Sequence, residues 1–134
     1  METIYLSLFI FIAWTLFLGV SLTSFRSIQV LIGKKKSNEF PAGIQHGSDF
    51  YWRLNRAHQN CLENLPIFLA VVFLVSTLGK LDSFVNDASV VIIVTRILQS
   101  ITHLLSGNVF AVNIRFTFYM TQIVTYIVIL YHII

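Results

Sequence analysis

Charge is what this sequence has least of. Of its 134 residues 11% are charged, six of them acids and nine lysine or arginine. A soluble domain usually carries about a quarter charged residues, so a cytosolic globule is excluded. The single cysteine, Cys61, rules out an intrachain disulfide and a thiolate metal cluster. His46, His58, His103 and His132 show no ligand spacing, so no metal site is expected. The net charge of +3 is small and its basic residues are localised rather than striped, which argues against nucleic acid as a partner.

What the chain has instead is apolar length. It is 56% hydrophobic with a mean hydropathy of +0.77. A membrane span needs roughly 20 apolar residues, which leaves room for about four spans in one domain, residues 1–134. The expected fold is all-α, an integral membrane four-helix bundle. The first span runs from about Thr3 to Phe25, and Ser27 to Ile32 can extend it to a stop at Gly33, before Lys34, Lys35 and Lys36. No basic residue precedes this span, so a membrane helix is expected rather than a cleaved signal peptide. Ser37 to Asp49, punctuated by Pro41, Gly43 and Gly47, reads as a loop.

The second span opens in the polar stretch from Arg53 to Pro66 and continues through Ile67 to Val75, with a kink expected at Pro66. Gly79 to Asp82 opens a short connection that takes in Asn86 and Asp87. The third span covers about Ala88 to Leu105, and the fourth about Phe110 to Ile134. In an up-and-down bundle Arg26, Lys34, Lys35, Lys36, Arg53, Arg56 and Arg115 fall near one end, and only Lys80 near the other. The positive-inside rule assigns the basic end to the cytoplasm.

Three spans carry polar faces. Arg56, Asn60 and Glu63 lie at i, i+4 and i+7, with Arg53 one turn earlier. Arg96, Gln99 and His103 lie at i, i+3 and i+7, and Arg115, Tyr119, Gln122 and Tyr126 share one side of the last span. Arginine inside a span costs roughly 2.5–3.5 kcal/mol on insertion scales, so it normally faces protein or water. The bland account pairs Arg56 with Glu63, and Arg96 with an acid of the second span. Yet Glu63 is the only acid in these faces, against Arg53, Arg56, Arg96 and Arg115. The surplus asks for an anionic partner, either a small molecule bearing carboxylates or a lipid headgroup. Cys61 points away from the Arg56 face and reads as a packing residue.

The run from Arg56 to Pro66, with its Arg-Ala-x-x-Asn-x-x-Glu pattern and closing proline, resembles the helix-two signature of the MAPEG superfamily, membrane-associated proteins in eicosanoid and glutathione metabolism. Arg96, and Arg115 with Tyr119, also fit, and the resemblance covers essentially the whole chain. It implies a homotrimer binding glutathione as co-substrate between subunits near the cytoplasmic face. By resemblance Arg53, Arg56 and Asn60 hold the carboxylates and backbone of glutathione, and Glu63 accepts from its donors. Arg96, Gln99 and His103 add to that site, while Arg115 with Tyr119 activates the thiol. The implied activity is a transferase or peroxidase of the microsomal type, acting on lipophilic substrates from the bilayer and needing no metal. The short chain leads to the expectation of a bacterial inner membrane.

Departures from the family pattern narrow this. Gln99 and His103 stand where several relatives place tyrosine or histidine, and Asn64 where leukotriene C synthase has tyrosine. They argue against leukotriene C synthase and microsomal prostaglandin E synthase alike. The basic residue of the first span corresponds to Arg26 or to one of Lys34 to Lys36. The alternative is a non-catalytic protein that uses the same scaffold to bind membrane lipid or organise a partner.

Overall fold

A computed structural model describes residues 1–134 as four helices. They are α1 (Thr3–Leu31), α2 (Asp49–Thr77), α3 (Ser83–Leu105) and α4 (Val109–Ile133). At about 1.5 Å per residue each exceeds the roughly 30 Å of a bilayer core, and all four are apolar enough to span it.

The helix starts follow from side-chain caps that satisfy free backbone N–H groups. Ser48 Oγ accepts from Tyr51 N at 3.2 Å and opens α2, so the whole polar stretch from Arg53 onward is helical. Asn108 Oδ1 accepts from Ala111 N at 2.8 Å and opens α4. Asp82 Oδ1 accepts from Val85 N at 2.9 Å, and α3 therefore begins at Ser83, five residues before the expected Ala88. Asn86 and Asp87, assigned to the connection from their polarity, are helical. The helix of α2 continues without a break across Pro66. The end of α1 is set by Gly33, whose φ of 75° suits a residue without Cβ.

Helices α2 and α3 each pack against the three others, α3 the more extensively, whereas α1 and α4 do not touch. The core centres on Phe11, Phe68, Ile92 and Ile129, all fully buried. Small polar groups let the helices approach closely. Ser7 and Ser89 hydroxyls meet at 3.0 Å, and those of Tyr5 and Ser76 at 2.9 Å. The outward surface is apolar, with Phe9, Phe17, Phe73 and Phe116 exposed, as expected where lipid or another helix replaces water.

The end that carries Lys80 is stitched by polar contacts. Asn86 Oδ1 accepts from Ile4 N at 3.0 Å, and Asn86 Nδ2 donates to Glu2 Oε2 at 3.1 Å. His132 Nε2 lies 2.7 Å from Asp82 Oδ2, tying the end of α4 to the start of α3. The hydrogen bond from His132, followed by that from the Val85 N–H, holds the Asp82 carboxyl below the usual carboxylate range. A depressed folded-state value contributes stability above the unfolded value of about 4 and loses it as pH falls through the lower folded one. Asparagine preserves the cap but not the charge. Asp82→Asn is therefore expected to melt below wild type at pH 6 in detergent, with the difference closing in strong acid, where the Asp82 carboxyl is protonated. An equal gap at both pH values would contradict the pairing.

Candidate functional site

The three polar faces meet where α2, α3 and α4 pack. Arg56 on α2 and Arg115 on α4 lie on the same side of the bundle, near one another. His103 on α3 lies in the field of Arg115, Arg56 and Arg96. Arg56 and Glu63 are exposed on the single chain, Arg53, Asn60 and Arg115 are half-buried, and Tyr119 sits at the edge of exposure. Gln99 and His103 are buried.

Arg96 is 0% exposed. Its Nη1 donates to the Asn60 carbonyl at 3.4 Å, and its Nη2 donates to Gln122 Oε1. The guanidinium lies over the Phe11 ring, 5.6 Å from its centroid, while Nε has no partner. Gln122, itself fully buried, passes a hydrogen bond from its Nε2 to Gln99 Oε1 at 3.1 Å. The arginine is thus enclosed within the bundle and touches the outer face through Asn60 and Gln99.

None of these arginines is paired with an acid. The one ion pair in the chain is that of His132 with Asp82, at the opposite end. Neither pairing of the bland account forms: Arg56 and Glu63 make no bridge within α2, and Arg96 bonds to amides rather than to a helix-two carboxylate. Glu63, expected to be buried within a polar face, is exposed, because the rotation of α2 turns it outward. Arg53 is turned toward the end of α3, where its Nε donates to the Leu104 carbonyl at 3.2 Å and satisfies a free helix-end acceptor.

Between α1 and α2 lies an open groove of about 910 Å³. Thr15, Gly19 and Thr23 line it from α1, Asn55, His58 and Gln59 from α2, and Phe40 to Ala42 from the loop. A Cβ at Gly19 would stand 2.9 Å from His58 Nε2, so glycine allows that imidazole to lie against α1. Of the basic residues near the end of the first span, Arg26 reaches this groove. Its Nε donates to Tyr51 OH at 2.8 Å, and its guanidinium lies 5.8 Å from the Phe40 ring centre. His46 Nε2 is 3.1 Å from the same Tyr51 oxygen, so the 37–48 loop is folded onto the helix ends. Among the groove residues only Arg26 is a site candidate from the sequence. The four-residue spacing of Thr15, Gly19, Thr23 and Ser27 was the signal for a close α1–α2 approach.

A four-helix bundle that spans the bilayer and gathers unpaired arginines at one end is an integral, multi-pass membrane protein with an uncompensated cationic site. Residues 4–134 match the model of the MAPEG family, and the chain belongs to that family. No curated protein and no solved structure matches it. Membership places it broadly among the membrane proteins of glutathione and eicosanoid metabolism.

Proposed function

We propose that this protein is a glutathione-dependent membrane transferase or peroxidase acting on lipophilic electrophiles. The observation that carries the proposal is that Arg56, Arg96 and Arg115 all lie near His103 with no acid paired to any of them. Glutathione supplies two carboxylates for arginine and one ammonium, for which the unpaired Glu63 carboxylate is the complement. Arg53, Arg56 and Asn60 would bind it from α2, and Gln99 and His103 from α3, with Arg96 acting through Asn60 and Gln99. Arg115 would stand beside the sulfur, where a cation favours thiolate over thiol. Tyr119, one turn on, would donate its O–H to the same group.

In transfer the thiolate attacks an electrophilic carbon: an S–C bond forms and the leaving group departs with its electron pair. With a lipid hydroperoxide, sulfur attacks the outer oxygen and the O–O bond breaks, releasing the lipid alcohol after protonation. A second glutathione then reduces the sulfenate, giving disulfide and water. The second substrate would arrive from the bilayer, since apolar side chains cover the outward faces.

The exposed face of Arg56 and Glu63 would be covered in a homotrimer, with the site completed between subunits. The basic end would lie in the cytoplasm, and a bacterial inner membrane is the proposed location. The non-catalytic lipid-binding reading draws on the α1–α2 groove, which adds Leu16, Val20 and Leu62 to its polar lining.

Titrating the purified protein with glutathione at neutral pH tests the leading reading. The expected result is saturable growth of thiolate absorbance by about 1 mM, an affinity of roughly 4 kcal/mol. No thiolate signal and no calorimetric heat over that range would sink it. Phospholipid that co-purifies and is not displaced by glutathione would favour the lipid-binding protein.

A further inference from the structure

The buried hydrogen bonds around Arg96 have a direction that chemistry dictates. A guanidinium carries only donors, so the amide oxygen of Gln122 must face Arg96. The Gln122 NH₂ is thereby turned away, and it donates to Gln99 Oε1 at 3.1 Å. Gln99 in turn has its oxygen engaged, and its NH₂ has no partner within the chain. Because Gln122 is fully buried, water cannot substitute for either partner.

We propose that Gln122 is a positioning residue that holds Gln99 with its NH₂ group presented to the bound ligand, so that α3 offers the site a donor and selects for an acceptor such as a carboxylate or thiolate. Asparagine or glutamine at a site is ordinarily ambivalent, since the side-chain amide turns over at little cost. Here the ambivalence is removed at its source. The arginine fixes Gln122, and Gln122 fixes Gln99. The Arg96 Nη1 bond to the Asn60 carbonyl ties the same unit to the α2 face. The selection of an acceptor deepens the glutathione reading and rests on it, whereas the orientation of Gln99 does not.

The discriminating variant is Gln122→Glu. The new carboxylate retains the contact with Arg96 and adds charge complementarity, but it has no N–H to give. Gln99 must then turn its NH₂ inward to the carboxylate and present its oxygen to the site. Two measurements on the full chain in micelles, with side-chain ¹⁵N-labelled glutamine, separate the possibilities. Without glutathione, the Gln122 NH₂ protons of the wild type are expected to exchange with solvent far more slowly than those of Gln99. In Gln122→Glu the Gln99 NH₂ signal is expected to move and gain protection, with a melting temperature equal to or above that of wild type. With glutathione, the variant is expected to bind about tenfold more weakly or worse, as befits a lost bond to a charged acceptor.

Equal exchange of the two amides in wild type overturns the proposal even if the variant fails to fold. An unmoved Gln99 signal in the variant, or wild-type glutathione affinity in it, overturns it as well. Wild-type protein that shows the exchange pattern but no glutathione binding would remove the glutathione reading and leave the positioning of Gln99 standing.

Discussion

Arg115→Ala is expected to abolish the glutathione thiolate at neutral pH while the bundle stays folded. The guanidinium of Arg115 is half-buried and makes neither a hydrogen bond nor an ion pair within the chain, so its removal unties nothing. The proposed loss is electrostatic. An opposite charge within about 4–6 Å shifts an ionisable group by roughly 1–3 pH units. Without it the thiol returns toward its free value of about 8.5–9 and is almost wholly protonated at pH 7. A fall in kcat/KM of about 100-fold or more is expected, comparable with deleting one stabilising donor at a developing charge. Arg115→Lys should restore part of the signal, because charge survives but the planar fork does not. The check is thiolate absorbance with the melting temperature of each variant. An Arg115→Ala protein that retains wild-type thiolate would remove Arg115 from the mechanism.

Phe11→Ala is expected to have the largest effect on stability. Phe11 is fully buried in mid-span, 5.9 Å from Phe68 ring to ring, and it supports the face of the Arg96 guanidinium. In lipid the unfolded helices still contact acyl chains, so little of the water-transfer term applies and packing dominates. The cavity left by a lost ring, together with the lost cation–π contact, is expected to cost about 3 kcal/mol. Phe9→Ala, two residues away on the exposed face, should change stability by less than about 0.5 kcal/mol. Reversible unfolding in mixed micelles measures both. A loss at position 11 no larger than at position 9 would contradict the packing described.

Much of the fold is legible in the sequence because spanning is a property of each segment alone. Apolar length marks four helices, and basic residues collect at one end. Caps are legible too, when sought: Ser48 and Asn108 stand where helices begin. Asp82 carries the same capping signal, but Asn86 and Asp87 lower the local hydropathy, so the apolar run itself begins only at Ala88. Both residues are helical, and Asn86 uses its amide to cap α1 and bind Glu2.

The site is legible less evenly. That Arg56 and Arg115 come near His103 is foreseeable from their faces and from their common end of the bundle. That Glu63 is exposed, Arg53 serves the end of α3, and Arg96 is enclosed is not foreseeable. Gln122 stood on the polar face of α4 without an assigned role, since nothing in its neighbours names Arg96 as its partner.

The sequence by itself determined the four spans, the cationic end and the helix-two signature with the family it marks. Each depends on residue type and spacing along one helix. Only the tertiary structure decided which amide meets which guanidinium, and that α1 and α2 leave a groove lined by Asn55 and His58. Those outcomes depend on how far each helix is rotated about its own axis, and packing against α3 sets that rotation. A turn of one residue, about 100° of helix, would have moved Arg96 off its fully buried position and left Gln122 without its donor.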